Sequence, residues 1–371
     1  MTHFNLTNNT SCPLKSLKRL LKIGAITLVM AHLIGCADNT QTSSAKVVLT
    51  EPDHTQLLLD TKQALLDLDL SLVASFITKI DVNRPLPDNS SLLAWAVETQ
   101  EPEFVNLLLN NGATVNINNS NRFTPIIQAC RYGNSHIINA LLDKGADVNA
   151  AIEDGTNAFQ LCAGSASSID LARMINLGAN ISAPNKLGQT PLMWAANYGK
   201  VDNINYLINQ GANINHQSNE GYSPLFFAIK SHNLTAIKTA ITNGADLTAI
   251  AKDSTTAAQL ATYTANYEFL NWYADELHSL VSQDQAEKVL TAFDREGYQL
   301  LHAAINANQP QLVAKLIKIG ASTNTVSEPS KLNWRYEANF KTENYFPPQL
   351  TPLELAKKNK FTHLISMLSK E

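Results

Sequence analysis

The chain has 371 residues, 44% of them hydrophobic, a composition that is ordinary for a folded protein with a large buried core. Residues 1–35 carry four of its 28 Lys and Arg and none of its 32 Asp and Glu, so the remainder has 24 cationic and 32 acidic side chains and a net charge of −8. This balance argues against a nucleic-acid partner, because neutralising phosphates requires clustered Lys and Arg. It mildly favours a basic protein partner, although solubility alone also accounts for it.

The N-terminal 36 residues are typical of a secretion signal. Four cationic side chains between positions 15 and 22 precede an apolar run over 23–35, which is short for a membrane span. The run ends in Leu33-Ile34-Gly35-Cys36, which resembles the lipobox of bacterial lipoproteins. That resemblance implies cleavage before Cys36 and lipidation of this residue, and several acyl chains give stable membrane anchoring. The alternative is an uncleaved amphipathic helix with a chance cysteine.

A polar segment without periodicity follows the proposed lipid anchor. Ala37 stands directly after the cysteine and Asp38 one place later, and by the sorting pattern of Gram-negative lipoproteins this order favours the outer membrane, on its periplasmic side. Residues 36–54 are therefore interpreted as the lipidated cysteine and a flexible tether, and residues 55–371 as the folded domain.

An internal period of 33 residues organises the folded domain. Gly-Ala pairs begin at positions 112, 145, 178, 211 and 244, and a sixth pair begins at 320. Three residues after the Ala, an Asn recurs at positions 116, 149, 215 and 324, and running the period back from the first gives Asn83, which indicates a degenerate first repeat over about 55–83. Upstream, Thr-Pro or Ser-Pro followed by an apolar residue stands at 124, 190, 223 and 351.

These motifs resemble the ankyrin-repeat family over about residues 55–371. Thr-Pro suits the first turn of a helix, and the Gly ends the second helix in a left-handed conformation. The resemblance implies an all-α solenoid of about 8 helix-turn-helix repeats with short finger loops. Each repeat exposes an apolar face that stacking on its neighbours buries.

Two segments break the period. Residues 251–293 form an irregular repeat, with a first helix over 253–261, an aromatic-rich second half over 267–277 and an additional or extended helix over 283–293. An aromatic-rich insertion at about 325–349 precedes a final helix pair over 351–370, where Lys357, Lys358 and Lys360 are expected to be exposed. The insertion is interpreted either as a loop on the binding face or as a cover for the last repeat.

The family resemblance implies that a protein partner contacts the finger loops and the exposed side of the first helices, on the concave face. Transferring that pattern by phase gives nine candidate binding residues, rich in the aromatic and cationic side chains that dominate interfaces: Phe123, Arg131, Tyr132, Gln189, Asn197, Tyr198, Tyr222, Lys230 and Tyr298. The alternative for about half of the rings is packing against the adjacent finger. Trp95, Trp194 and Phe227 fall one step earlier on their helices and are predicted to be core residues.

Cys130 and Cys162 occupy equivalent small-residue positions in successive first helices. Because neighbouring helix axes lie roughly 10 Å apart and a disulfide needs Cα atoms within about 7 Å, we expect two buried free thiols. A disulfide is the alternative.

The sequence carries no motif of a known catalytic, phosphate-binding or metal-binding site. His302 stands where ankyrin repeats place a structural histidine that bonds a finger backbone. We expect no enzyme activity, no cofactor, no metal and no small-molecule substrate. The leading hypothesis is an envelope-anchored protein that binds an unidentified protein partner, with immunity against a secreted toxin as one role and support of an envelope enzyme or assembly complex as the alternative. A third hypothesis is a cryptic enzyme that uses the insertion.

Overall fold

The computed structural model describes residues 51–116, 124–329 and 349–369, which form a stack of helices. Within those ranges there are nineteen helices and no strands. Their bounds are α1 Glu51–Leu66, α2 Leu70–Ile77, α3 Leu92–Glu98, α4 Pro102–Asn110, α5 Pro125–Tyr132, α6 Ser135–Asp143, α7 Ala158–Ser165, α8 Ser168–Asn176, α9 Pro191–Asn197, α10 Val201–Asn209, α11 Pro224–Lys230, α12 Leu234–Thr242, α13 Ala257–Tyr263, α14 Tyr267–Leu280, α15 Gln283–Thr291, α16 Leu300–Asn306, α17 Pro310–Lys318, α18 Pro352–Lys358 and α19 Thr362–Leu368.

The helices form antiparallel pairs that stack in two layers. The first helices α1, α3, α5, α7, α9, α11, α13, α16 and α18 pack on one another in order, and the second helices of the pairs form the other layer. One apolar core runs continuously between the layers. The described residues therefore contain nine helix pairs, one more than the approximate count that the sequence predicts, and α15 is an extra helix between two pairs.

Local residue choices start and stop each helix. The Thr124 hydroxyl accepts a hydrogen bond from the Ile127 amide at the start of α5, and Gly133 ends that helix with a φ of 77°, a conformation that costs glycine little. Capping by this hydroxyl does not extend to every repeat, since the hydroxyls of Thr190 and Ser223 make no cap bond and are buried without a hydrogen-bond partner.

A recurring asparagine joins one repeat to the next at positions 83, 116, 149 and 215, whereas Ser182 and Thr248 stand at the equivalent positions of two other repeats. The side-chain amide of Asn215 donates to the Gly244 carbonyl at 3.0 Å, and its oxygen accepts from the Asp246 amide at 2.9 Å. The same two bonds recur at Asn83, Asn116 and Asn149. We call this pair of hydrogen bonds the asparagine clamp. Because each clamp satisfies one carbonyl and one amide of the following turn, it fixes the register between the two repeats that it joins.

Cys130 and Cys162 are joined in a disulfide, with their Cα atoms 4.4 Å apart. The expectation of two free thiols is therefore wrong. That expectation used the distance between helix axes, whereas the disulfide limit applies to the distance between Cα atoms. The Cα atoms lie about 2.3 Å from each axis, so two helices with axes 8–10 Å apart have facing Cα atoms roughly 3–5 Å apart. The neighbouring Ala129 and Ala163 are fully buried, and their small side chains permit this close approach.

The irregular repeat keeps both layers in place. Its first helix is α13, its second helix α14 has 14 residues, and α15 follows as a separate helix. Farther on, the buried imidazole of His302 lies with Nε2 3.1 Å from the Leu350 carbonyl oxygen, which confirms its predicted role in holding a finger loop. Burial lowers the pKa of His302, which favours the neutral ring.

The predicted insertion lies mostly outside the described residues, as do Phe123 and Cys36. Its two ends are close together, because the Ser327 amide donates to the Leu350 carbonyl at 3.0 Å and the Leu350 amide donates to the Ser327 hydroxyl at 3.0 Å. The last helix pair, α18 and α19, exposes Lys357, Lys358 and Lys360 as predicted. No helix of the described part of the chain has the length and apolarity of a membrane span.

Replacing Asn215 by Ala is expected to lower the free energy of unfolding by about 1–2 kcal/mol, because two hydrogen bonds between repeats are lost. Urea unfolding followed by circular dichroism measures the change. Gln210→Ala, at an exposed position of the same repeat, is the control and should change stability by less than about 0.5 kcal/mol. Equal effects of the two substitutions would contradict the clamp.

Opening the disulfide is expected to lower the free energy of unfolding by about 3–4 kcal/mol, the loop-closure contribution for cysteines about thirty residues apart. The comparison is urea unfolding of the chain with and without dithiothreitol. The double variant Cys130→Ala/Cys162→Ala is the control, because the reductant should leave its midpoint unchanged. Recovery of both cysteines as alkylated thiols from unreduced, denatured protein would contradict the bridge.

Candidate protein-binding face

The candidate residues lie along the exposed side of the first-helix layer and the loops before it, which together are called the first-helix face. Arg131 and Tyr132 end α5, Asn197 and Tyr198 end α9, and Lys230 ends α11. Two positions before the first residue of α9, α11 and α16 stand Gln189, Tyr222 and Tyr298, respectively. Phe123 falls outside the described residues.

Four of these residues meet in one groove between α9 and α11. This Trp194 groove has a volume of ≈ 200 Å³ and is lined by Gln189, Met193, Trp194, Asn197, Tyr198, Phe227 and Lys230. Gln189, Asn197, Tyr198 and Lys230 are the predicted binding residues among this lining, and the fold brings them together in one groove. Phase alone could not show that the four share a single groove.

Aromatic contacts shape the Trp194 groove. The rings of Trp194 and Tyr198 stack with their centroids 6.2 Å apart, and the Lys230 ammonium lies 5.4 Å from the centre of the Phe227 ring. Tyr198 is 56% exposed and rests on Gly164 of α7, where a Cβ atom would lie 2.7 Å from the tyrosine ring. The glycine is thus the reason that this ring can lie flat on the neighbouring helix.

A second groove lies between α3 and α5. This Trp95 groove has a volume of ≈ 600 Å³ and is lined by Leu66, Ser90, Ala94, Trp95, Glu98, Gln128 and Arg131. Arg131 is the one predicted binding residue among its lining. Tyr132 borders it, because its hydroxyl donates a hydrogen bond to the Glu98 carboxylate.

Polar side chains of the Trp95 groove already have partners within the chain. The Lys62 ammonium lies 3.8 Å from the centre of the Trp95 ring, and the indole N–H donates to the Ser90 hydroxyl at 2.7 Å. The Glu98 carboxylate accepts from Gln128 as well as from Tyr132. The hydrogen bond to Glu98 raises the pKa of Tyr132, and burial adds to that shift.

Sequence reasoning missed the two tryptophans as site residues. Phe227 is buried, at 9% exposure, which confirms its prediction as core. Trp95 and Trp194 are only partly buried: each packs on the core and also lines a groove. The spacing of the two tryptophans could have indicated this role. Trp95 and Trp194 stand three periods of 33 residues apart, and the two repeats between them have Gln128 and Leu161 at the equivalent position.

Tyr222 and Tyr298 lie outside both grooves. Tyr222 donates a hydrogen bond to Asp253 at 3.1 Å and packs on Phe226, and burial together with that carboxylate raises its pKa. Tyr298 stacks on His302 with the ring centroids 6.0 Å apart. For Tyr222 and Tyr298 the structure therefore agrees with the alternative given by the sequence, in which an aromatic ring packs within the chain.

Two segments of the chain, residues 62–152 and 158–251, match the family model described as ankyrin repeats (3 copies). The chain is an ankyrin-repeat solenoid. The match ends where the irregular repeat begins, and the helix pairs α13/α14, α16/α17 and α18/α19 continue the ankyrin stack beyond it. Ankyrin repeats indicate protein–protein interaction.

Among solved structures, the crystal structure of the human ASB11 ankyrin repeat domain is 24% identical in sequence. The alignment covers 54% of this chain and 90% of that one, with a TM-score of 0.47. A search of curated proteins gave no match. Within the described ranges, no group of three or more His, Cys, Asp or Glu side chains is arranged to hold a metal ion.

Substituting Glu98→Gln is expected to lower the pKa of Tyr132 toward 10, because the carboxylate that stabilises the protonated phenol is removed. Titration of ¹³C-labelled tyrosine rings by NMR measures the midpoint, with Tyr132→Phe to assign the signal. Tyr222, which bonds to Asp253 instead, is the internal control and should titrate as before. An unchanged Tyr132 midpoint would show that the two side chains are not bonded in solution.

Proposed function

We propose that this protein is a lipid-anchored, non-catalytic binding protein of the bacterial envelope that holds one protein partner on its first-helix face. The observation that carries the proposal is the Trp194 groove, in which a half-buried tryptophan, an exposed tyrosine and a lysine converge on one face of an ankyrin solenoid. Aromatic anchors next to a cation are the side chains that dominate binding energy at protein interfaces.

The anchoring part of the proposal rests on the sequence before the folded domain. Cys36 follows the signal-like apolar run, and α1 begins at Glu51. Fifteen residues span at most about 50 Å when extended, so a lipid on Cys36 would keep the ankyrin domain close to the membrane surface. The disulfide between Cys130 and Cys162 supports an exported location, because such bonds persist in oxidising compartments such as the periplasm.

The role of the bound complex is proposed as immunity: the protein would occupy and neutralise a secreted toxin at the membrane where the toxin acts. Anchoring at the site of damage favours this role, and preformed grooves suit an inhibitor that must bind without rearrangement. The alternative role is support of a resident envelope enzyme or assembly complex. The partner's identity separates the two, since a delivered hydrolase indicates immunity and a resident protein indicates a scaffold.

The triple variant Tyr132→Ala/Tyr198→Ala/Lys230→Ala is expected to lose its partner, because it removes exposed anchors along the first-helix face. Full-length protein and variant are cross-linked in envelope preparations, from cells grown with and without competitors that deliver toxins, and partners are identified by mass spectrometry. We expect at least about a tenfold loss of the specific partner, as for the removal of interface hot spots.

The matched control is the triple variant His136→Ala/Ile169→Ala/Leu177→Ala, which alters exposed side chains of the second-helix layer. It should retain the partner. A partner that is lost equally from both variants, or retained by both, would overturn the assignment of binding to the first-helix face.

A further inference from the structure

The two tryptophan grooves are built from the same repeat positions. Six lining residues of the Trp95 groove each have a counterpart in the Trp194 groove, three periods of 33 residues later. In order, Ser90, Ala94, Trp95, Glu98, Gln128 and Arg131 correspond to Gln189, Met193, Trp194, Asn197, Phe227 and Lys230. The two grooves therefore occupy equivalent positions in the repeat and differ in the side chains that line them. Comparing these side chains shows which charged and polar groups are present in one groove and absent from the other.

In the Trp95 groove the chain itself supplies the charged and polar partners. The Glu98 carboxylate faces donors from Gln128 and Tyr132 and shares the groove with the Arg131 guanidinium. An acceptor from Ser90 satisfies the indole N–H. The Trp95 groove thus shows that these repeat positions can hold a carboxylate beside a tryptophan ring and a cationic side chain.

The Trp194 groove keeps the cation and loses the carboxylate. Lys230 replaces the arginine, whereas Asn197 replaces the glutamate and Phe227 replaces the glutamine. Lys230 is the one charged side chain among its lining residues. The Trp194 indole nitrogen is buried and has no hydrogen-bond partner among the described residues, an unsatisfied donor that is uncommon in folded proteins.

We propose that the Trp194 groove binds an apolar side chain of the partner protein together with an adjacent Asp or Glu carboxylate, which occupies the place that Glu98 fills in the Trp95 groove. The inference rests on the proposed protein-binding function and names the chemistry of the segment bound. A carboxylate complements Lys230, and a leucine or aromatic side chain complements Trp194, Tyr198 and Phe227. At ≈ 200 Å³ the groove is smaller than ordinary small-molecule pockets of about 300–1,000 Å³, which favours one protruding side chain over a free metabolite.

The acidic net charge of the domain does not oppose this local preference. Lys230 is the one charged side chain that lines the groove, and exposed charges more than about 8 Å away are largely screened at physiological salt.

The test selects a random dodecapeptide phage library against the full-length protein in detergent, with the variant Asn197→Glu as the counter-selection. This variant restores the carboxylate of the Trp95 groove at its equivalent position. We expect enriched peptides with Asp or Glu next to a leucine or aromatic residue. A synthetic peptide of that sequence should bind the wild type at least about tenfold more tightly than its Asp→Asn or Glu→Gln analogue, the loss of one charge-assisted contact.

Charge-matched substitutions inside and outside the Trp194 groove locate the site. Affinity by fluorescence anisotropy should fall about tenfold in Asn197→Glu and in Lys230→Gln. It should stay within about twofold in Gln210→Glu and Lys144→Gln, which make the same changes of charge at exposed positions outside both grooves. Circular dichroism confirms that each variant is folded. The inference is overturned if the selection yields no acidic-apolar motif, if the amide analogue binds as well as the acid, or if the two variants of the Trp194 groove have no effect.

The outcome separates this inference from the proposed function. A parallel selection is run without the counter-selection. Peptides from it that bind wild type and Asn197→Glu equally, but lose affinity in Tyr132→Ala/Trp95→Ala, would show that the first-helix face binds protein through the other groove. The proposed function would then stand and the chemistry assigned to the Trp194 groove would fall. Failure of the proposed function is instead measured by partner retention in the cross-linking experiment.

Discussion

The asparagine clamp between consecutive repeats is the constraint on which the rest of the structure depends. At Asn83, Asn116, Asn149 and Asn215 the same side chain donates to a carbonyl and accepts from an amide of the next repeat. A two-ended amide bridge of this kind tolerates little sliding, because hydrogen bonds weaken steeply with distance and angle. The clamp thus fixes the register between the repeats that carry it, and the 33-residue period places equivalent residues on the same face of the stack.

Because equivalent residues keep the same position in the stack, two grooves can form at equivalent places and still differ in their side chains. The helix positions that surround Trp95 recur around Trp194, and the residues at these positions give each groove its own charge and polarity. Exchanging Glu98 for Asn197 removes a negative charge without altering the helices that hold it. In the proposed function, a few side chains on a repeated scaffold would set binding, as is general for folds that serve many partners.

The segment between the two grooves is closely packed and cross-linked. The disulfide ties α5, which contributes to the Trp95 groove, to α7, and Gly164 of α7 receives the Tyr198 ring of the Trp194 groove. Both grooves thus rest on neighbouring helices with little freedom to separate. A preformed surface of this kind loses less conformational entropy on binding than a mobile one.

The sequence by itself determined the architecture, because the 33-residue spacing of Gly-Ala, Asn and Thr-Pro fixes where helices end, turn and begin, and those are local effects. It also determined which face the candidate residues share, since equal phase in a stack means equal orientation. Only the tertiary structure decided which of them lie together: Gln189, Asn197, Tyr198 and Lys230 line one groove, whereas Tyr222 and Tyr298 pack on adjacent side chains. The same holds for the disulfide between Cys130 and Cys162, because the approach of two helices depends on the volume of every side chain between them, and sequence spacing does not report that distance.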